Sequence, residues 1–391
     1  MTAPGPVSAT ADPLALGYPV YSADSHVIEP PDLWTERIDA GFRHWAPRVV
    51  RSEETDLWVV GDDVRMAVVG IQAQAGRRYE TGPDRERITK QGFYRDIGTL
   101  DPDRYVRDLD VDGVSGALLF PSNAHQAYRC VAGDLLAAIA RAYNGWALEF
   151  CRAHPDRLKA VAMLDVGDVP AAAAELARAV AAGAPAGLIP VLPAPGRRYD
   201  QAGYDRLWRA AVDLDVPLVM HVGGNQAVLG REPTIDLVRH ATKDLHVQAS
   251  LATMVLSGVF ARHPGLRVGA VEFGASWAAY LGQQLDRAYA AGRGPRTLPP
   301  GEHPSDHLRR NVFLSFQEDR AAMLWRRVIG VRNLLWGNDY PHAESTFPRS
   351  IEILGRDLRG VAPDDARRIV GGNAAETFRF AYPTTGSTPI S

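Results

Sequence analysis

The 391-residue sequence predicts an α/β protein in which eight β/α units form a TIM-type (β/α)8 barrel. Eight short runs rich in Val, Leu, Ile and Ala recur along the chain, and segments with helical spacing separate them. Because strands that are buried on both faces are almost continuously apolar, this alternation indicates a parallel sheet covered by helices. An open doubly wound sheet is the alternative, and the lack of a glycine-rich phosphate-binding motif after any run disfavours it.

The eight predicted strands are spread over most of the chain, at residues 21–26, 113–120, 159–165, 186–192, 217–223, 266–273, 311–316 and 333–339. Helical spacing of apolar residues is clearest in three of the intervening segments, at residues 135–154, 171–183 and 204–215. The second of these ends at Gly183, and glycine is the residue that most often terminates a helix.

Residues 45–100 interrupt the alternation and predict a β-rich insertion after the first strand. The stretch 47–70 contains two strand-like runs around a Gly-Asp-Asp turn, and the stretch 76–96 is polar and basic. We expect a loop of this insertion to cover the site. The predicted organisation is one domain over residues 18–382, between a mobile N-terminus (1–17) and a mobile tail (383–391).

Composition limits the classes of function. The formal net charge is -3, from 43 basic and 46 acidic residues, so no strong attraction to nucleic acid or to an anionic membrane is expected. We find no apolar run of about 18 residues and no secretory signal pattern. Two cysteines, Cys130 and Cys151, do not make a disulfide framework. These features predict a cytoplasmic protein that acts on a small molecule.

Metal-binding side chains stand at the ends of four predicted strands. Asp24 and His26 end the first strand and point to the same side, His221 ends the fifth, Glu272 the sixth and Asp339 the eighth. The carboxyl ends of barrel strands meet at one rim. Buried charges without partners cost several kcal/mol, so this set predicts a divalent cation that the side chains share.

Each of these residues also has a structural interpretation. Asp24 and His26 could cap a strand, Glu272 could pair with an arginine such as Arg43, and Asp339 could belong to a turn in GNDYPH. Their occurrence at one predicted rim favours the metal. Two further residues lie near the set in sequence and could bind a second metal or support the first, namely Glu29 and His342.

Four motifs, DSHVIEPPDLW, HVGG, VEFGASW and GNDYPHAES, resemble in their order the amidohydrolase superfamily. The branch is amidohydrolase-2, which includes aminocarboxymuconate-semialdehyde and aromatic-acid decarboxylases, and the resemblance covers most of residues 20–380. It implies a distorted (β/α)8 barrel, one or two divalent metals at its mouth and often a homodimer. It also implies that Asp24, His26, His221 and Asp339 are ligands, with Asp339 able to take a proton.

Two positions depart from the family pattern. An aspartate, Asp24, replaces the first histidine of strand one, and Glu272 replaces a strand-six histidine that assists proton transfer in the decarboxylases. The resulting carboxylate-rich set suits Zn, Mn or Fe, as one ion or two. Glu272 would either bind metal or transfer a proton.

Three reactions are compatible with these residues. The leading prediction is hydrolysis of a carboxylic acid derivative, because a metal lowers the pKa of bound water from 15.7 to about 7 and so gives metal-bound hydroxide, with Asp339 as base. The second is non-oxidative decarboxylation, with Arg43 either holding an acid group or lying solvated on the surface. The third is O₂ activation by two irons, as in a monooxygenase. A metal-binding barrel without turnover is the non-enzymatic alternative.

Overall fold

The computed structural model describes most of the chain and places two parallel sheets at its centre. The described residues are 17–51, 53, 55–62, 64–68, 72, 75–76, 94, 100–194, 196–223, 233–292 and 294–381. The predicted mobile N-terminus lies almost entirely outside them, as do the mobile tail and most of the basic stretch 76–96.

The strands occur in each of the eight predicted segments and in the insertion. They are β1 Tyr21–Val27, β2 Arg48–Arg51, β3 Asp56–Val60, β4 Val64–Val68, β5 Gly116–Pro121, β6 Leu158–Ala160, β7 Ala162–Met163, β8 Gly187–Leu188, β9 Leu218–His221, β10 Val268–Val271, β11 Val312–Phe316 and β12 Leu334–Trp336. Sheet order is β1-β5-β6 in one parallel sheet and β12-β11-β10-β9-β8-β7 in the other. The predicted α/β class with parallel strands is confirmed.

The two parallel sheets adjoin at both of their edges. Strands β6 and β7 are separated only by Val161, so one continuous segment pairs with β5 on one side and with β8 on the other. At the opposite edge, two backbone hydrogen bonds join the end of β1 to the residues after β12: His26 N–H donates to the carbonyl of Tyr340 (2.6 Å), and Asp339 N–H donates to that of Asp24 (2.7 Å).

Helices follow most of the parallel strands. They are α1 Leu33–Arg37, α2 Pro102–Val111, α3 Asp134–Cys151, α4 Val169–Ala181, α5 Asp205–Asp213, α6 Pro233–Ala241, α7 Leu245–Leu256, α8 Val259–Arg262, α9 Trp277–Ala290, α10 Pro304–Asn311, α11 Arg320–Ile329, α12 Ser350–Asp357, α13 Pro363–Arg367 and α14 Asn373–Phe378. Local chemistry sets their starts: the Asp168 carboxylate, for example, accepts from the Ala171 N–H (2.9 Å) and caps α4.

The central strands are buried on both faces, as their apolar sequences require. Every residue of β1, β5, β9, β10 and β11 is buried. Strands β2, β3 and β4 form a separate antiparallel sheet between β1 and β5 in sequence, within the stretch expected to be β-rich. Within the described part of the chain, no helix combines the length and apolarity needed to cross a bilayer.

Candidate metal centre

The carboxyl ends of the parallel strands bring the predicted ligands together. Asp24 and His26 lie in β1, His221 is the last residue of β9, Glu272 follows β10 directly and Asp339 lies three residues after β12. Because β9 and β10 pair in parallel, with Val271 opposite His221, Glu272 emerges beside that histidine. The sheet register therefore places all five side chains at one rim.

Short distances join these side chains into one cluster. His221 Nε2 lies 3.1 Å from Asp24 Oδ1 and 3.4 Å from Glu272 Oε2. His26 Nε2 lies 3.3 Å from Asp339 Oδ1 and 3.8 Å from Asp24 Oδ1. The predicted auxiliary residue His342 joins as well, because its Nδ1 lies 2.8 Å from Asp339 Oδ1 and its ring stacks on that of His26 at 3.7 Å.

Two sets of three donors are compact enough to bind a metal ion. One is Asp24, His26 and His221, and the other is His26, Asp339 and His342, each with ligand atoms within 4.8 Å of one another. Among the described residues, His26 Nε2 and Asp339 Oδ1 are buried, and although they lie 3.3 Å apart, neither has a partner in hydrogen-bonding geometry. Buried polar atoms are normally satisfied, so these two atoms and the Asp/His donor set fit a divalent cation.

Electrostatics at Asp24 and the histidines reflect deep burial. Burial disfavours a charged imidazole, but the hydrogen bond with Asp24 and the charges of Asp24 and Glu272 together raise the pKa of His221 to about 9. Burial lowers the pKa of His26 well below its usual value, and the neighbouring His342 lowers it further. Asp24 and Glu272 therefore favour the cationic form of His221, while burial favours the neutral form of His26, the form in which an imidazole binds metal.

Asp339 and His342 form an ion pair at the same rim. Burial opposes ionisation of Asp339, yet His342 and His26 lower the pKa of Asp339 well below its usual value. Burial similarly opposes the charge on His342, and the Asp339 carboxylate raises the pKa of His342. On its other side, His342 Nε2 lies 3.2 Å from the hydroxyl of Ser122, so this ring is held at both nitrogens.

Glu272 occupies a different electrostatic position from the other carboxylates. Burial raises the pKa of Glu272 to about 7, against the opposing charges of Lys243 and His221. Its Oε1 lies 3.8 Å from Lys243 Nζ, so Lys243 lies where the sequence suggested Arg43. Glu272 belongs to neither compact donor set. This arrangement suits a group that exchanges a proton near neutral pH.

The backbone at the two rim carboxylates is unusual. Glu272 and Asp339 have positive φ angles, 71° and 57°, a region that residues other than glycine adopt rarely. Both follow the end of a strand, where the chain must turn while the side chain stays directed into the cluster. Such strained positions concentrate at functional sites because the surrounding structure must hold them.

A buried polar network supports the turn that carries Asp339. The Asn338 side-chain oxygen accepts from the hydroxyls of Ser22 (3.1 Å) and Ser25 (2.7 Å). Its amide nitrogen donates to Asp112 Oδ2 (3.0 Å), and Asp112 also accepts from the N–H and hydroxyl of Ser350. Burial raises the pKa of Asp112 to about 6, against these hydrogen bonds. These hydrogen bonds connect β1 to the turn that carries Asp339 and hold the two segments together.

Two predicted site residues, Glu29 and Arg43, lie apart from the cluster. Both Glu29 oxygens accept hydrogen bonds from the backbone N–H of Asn123 and Ala124 and from the Asn123 amide, at 2.8–3.1 Å. Glu29 therefore caps the 3-10 helix Ala124–Arg129. Arg43 is exposed on the 3-10 helix Ala40–Trp45, and no described contact joins it to the cluster.

Sequence reasoning missed several residues that border the cluster. His125 is buried beside it, with its ring centroid 5.6 Å from that of His221, and Gln317 Nε2 lies 3.3 Å from Asp339 Oδ2. Burial lowers the pKa of His125 well below its usual value. The position of His125, just after the predicted strand 113–120, was a usable signal. Gln317 has the same signal, because it directly follows the predicted strand 311–316, whereas Lys243 has no comparable signal in the sequence.

Comparison with known proteins identifies the family. The model of the amidohydrolase family, in its second branch, matches residues 103–380, which is well over half of the sequence. The chain therefore belongs to the amidohydrolase family and is an enzyme of that family, so the family predicted from the motifs is confirmed.

Two curated relatives are named as decarboxylases. The decarboxylase orsB of Emericella nidulans is 33% identical over 159 residues, 37% of this chain and 47% of that protein. The chain thus matches about half the length of this relative. The gamma-resorcylate decarboxylase of Rhodococcus jostii is 26% identical over 276 residues, 62% of this chain and 77% of that protein.

Solved structures share the fold. The amidohydrolase map2389c of Mycobacterium avium subsp. paratuberculosis has a TM-score of 0.78 and 24% identity, over 92% of this chain and 99% of that one. A dihydroxybenzoic acid decarboxylase of Polaromonas sp. JS666, with bound manganese and 2-nitroresorcinol, has a TM-score of 0.63 and 18% identity, over 92% and 97%. At these identities the likeness shows the fold alone.

Proposed function

We propose that this chain is a metal-dependent, non-oxidative decarboxylase of small aromatic carboxylic acids. The observation that carries the proposal is the buried cluster of Asp24, His26, His221 and Asp339 at the strand ends. The two curated relatives described above are named as decarboxylases, which favours decarboxylation over the hydrolysis that the sequence first suggested. The substrate class follows the gamma-resorcylate relative, because resorcylate is a dihydroxybenzoate.

The same four residues are the proposed metal ligands. A cation between them would satisfy the two buried atoms without hydrogen bonds, His26 Nε2 and Asp339 Oδ1. We propose manganese, the ion present in the Polaromonas structure, while zinc and iron also suit this donor set. A bound divalent cation would supply Lewis-acid binding of the substrate carboxylate and an adjacent oxygen.

Glu272 is the proposed proton donor. In decarboxylation the bond between the ring carbon and the carboxylate carbon breaks, CO₂ leaves, and the electron pair stays on the ring carbon. That carbon then takes a proton from the Glu272 carboxyl group, which recovers a proton from water. Glu272 suits this role because it contacts His221 at the rim, remains 16% exposed and lies outside both donor sets.

The finer form of the fold is part of this proposal. We propose that the eight parallel strands close into one distorted (β/α)8 barrel with its mouth at the cluster. Support comes from the segment Leu158–Met163, which pairs on both sides, and from the backbone hydrogen bonds between β1 and the residues after β12. The domain limits and the homodimer stay predictions.

Two other reactions have one supporting observation each. Hydrolysis is favoured by the carboxylate of Glu272, which can take a proton from water. In the decarboxylases that the motifs resemble, a histidine occupies this position. Oxygen activation by two irons is favoured by His26, which both compact donor sets share. One experiment can distinguish decarboxylation, hydrolysis and oxygen activation.

The test uses protein stripped of metal and reloaded with Mn²⁺, Zn²⁺ or Fe²⁺. The substrate is 2,6-dihydroxybenzoate with an isotopic label at its carboxyl carbon, and labelled CO₂ is measured in the headspace. Aryl ester hydrolysis and O₂ consumption are measured in parallel. The variant Asp339→Asn removes a proposed ligand, and Asp357→Asn, at a buried aspartate paired with Arg356, is the matched control.

We expect metal-dependent release of labelled CO₂ that Asp339→Asn abolishes and Asp357→Asn preserves. Metal-dependent ester cleavage without CO₂ would replace the proposal with hydrolysis. Substrate-dependent O₂ consumption by the iron-loaded protein alone would replace it with oxygenation.

A further inference from the structure

A cavity of about 350 Å³ opens beside the cluster, and one lysine in its wall has no role in the proposed chemistry. Lys243 lies in the turn between α6 and α7 and faces Glu272 across this cavity. Its side chain is 23% exposed, so most of the side chain is packed while the ammonium group still reaches solvent.

The positive charge of Lys243 is only partly compensated by a neighbouring carboxylate. Its ammonium lies 3.8 Å from Glu272 Oε1, which is beyond the usual length of an N–H···O hydrogen bond. The ammonium donates no hydrogen bond within the described part of the chain. Glu272 is also shared, because its other oxygen lies 3.4 Å from His221 Nε2. One carboxylate thus faces two basic groups.

The other acidic groups of the cavity have basic partners of their own. Glu318 lies 2.6 Å from Arg356, and Glu344 lies 3.8 Å from His240. Lys243 itself lines the cavity and is 23% exposed, so its ammonium is accessible to a ligand there. The chain of contacts from Lys243 through Glu272 and His221 to Asp24 is short, so a ligand held at the cluster would lie within reach of the ammonium.

The residue type is also unusual in this chain. Of its 43 basic residues only three are lysine, at positions 90, 159 and 243, and the rest are arginine. An ammonium is a compact charge with three donors on a flexible stem, and it can follow a ligand without the fixed planar geometry of a guanidinium.

We infer that Lys243 binds a second anionic group of the substrate, a carboxylate or ionised phenol on the ring away from the reacting carboxylate. The preferred substrates would thus be aromatic acids with two anionic groups. The inference rests on the proposed function for the identity of the ring and its reacting group. Lys243 would determine specificity and would not itself take part in bond breaking.

The test measures binding, so it does not depend on turnover. Calorimetry on Mn²⁺-loaded and metal-free protein compares benzoate with benzene-1,3-dicarboxylate and benzene-1,4-dicarboxylate. The variants are Lys243→Met, which removes the charge at nearly constant volume, and Lys243→Arg, which keeps it. Lys159→Met is the matched control, because Lys159 packs over the Phe380 ring and lines no part of this cavity.

We expect the native loaded protein to bind at least one dicarboxylate on the order of tenfold more tightly than benzoate, as a charge-assisted hydrogen bond predicts. Lys243→Met should abolish this preference, while Lys243→Arg and Lys159→Met should largely keep it. No preference in the native protein, or an unchanged preference in Lys243→Met, would overturn the inference. If the expected binding preferences are observed but no CO₂ is released in the decarboxylation assay, the proposed function would be wrong and the inference about Lys243 would stand.

Discussion

The backbone N–H of Asp339 donates a 2.7 Å hydrogen bond to the carbonyl oxygen of Asp24. These residues are separated by over three hundred positions in sequence, yet the bond fixes the rim residues of the first and last parallel strands to each other. The two carboxylates thus reach the cluster from backbones that cannot move independently.

Gly337 makes the close approach of these strands possible. A Cβ atom at position 337 would lie 2.4 Å from Asp24 Cβ and 2.9 Å from the Asp24 backbone nitrogen. We therefore expect Gly337→Ala to lower the free energy of unfolding by about 1–3 kcal/mol, as overpacking usually does, and to weaken Mn²⁺ binding. Urea unfolding and a metal titration measure the two effects.

The control for this variant is Gly145→Ala. Gly145 lies inside α3, and an added Cβ would meet no atom within 4 Å, so this change should stabilise the helix by up to about 1 kcal/mol. Unaltered metal affinity in Gly337→Ala would show that the approach of the two strands does not set the geometry of the centre.

Glu272→Gln tests the proton-donor role. The amide keeps the shape of the side chain but cannot transfer a proton, so kcat for decarboxylation should fall about 10²–10⁴-fold. Metal content should stay at the native level, because Glu272 lies outside both donor sets. Glu149→Gln, at an exposed ion pair with Arg37, should change neither quantity. Loss of metal from Glu272→Gln would identify Glu272 as a ligand instead.

Glu29→Gln distinguishes a structural carboxylate from a metal ligand. Glu29 is fully buried and accepts from two backbone N–H groups and one side-chain amide. A glutamine would turn one acceptor into a donor facing other donors, so the free energy of unfolding should fall by about 2–4 kcal/mol. Denaturant unfolding measures this loss. A variant of native stability that has lost its metal would place Glu29 at the centre after all.

Asp112 should make stability depend on pH. Burial raises the pKa of Asp112 to about 6, above the value of about 3.8 in an unfolded chain, so the native state binds more protons between these values. Stability from this group is therefore present at low pH and is lost as pH rises through about 6. The linked change is on the order of 2–3 kcal/mol.

The comparison that isolates this effect uses Asp112→Asn, which cannot ionise. Its absolute stability should be lower, because the hydrogen bonds with Ser350 and Asn338 are disturbed. Between pH 4 and 7, however, the native protein should lose more stability than the variant does. Parallel curves for the two proteins would mean that Asp112 titrates normally.

The sequence predicted the strands well because burial on both faces leaves a strong apolar signal. Each of the eight predicted segments contains a strand, and the polar residues that end those strands, such as His221 and Asp339, do meet at one rim. Parallel strands make this possible, since their carboxyl ends must share an edge. Whether these residues bind metal stays a prediction.

The remaining parts of the site depend on contacts that no local pattern records. Glu29 lies only three residues from His26, but its side chain is taken by the N–H groups of a distant 3-10 helix. Placing Arg43 near an acidic residue required an assumption about the path of the chain around the insertion. Lys243 reaches Glu272 through the turn between two helices, whose packing is set by the whole fold.

The central claim is that Asp24, His26, His221 and Asp339 form one metal centre. The most direct measurement is the metal content per chain, by elemental analysis, of protein purified without chelator and then reloaded with Mn²⁺. We expect about one tightly bound divalent ion per native chain, retained in Asp357→Asn and lost in His221→Asn and Asp339→Asn. A native protein that binds no metal after reloading, or variants that bind as much as the native protein, would contradict the central claim.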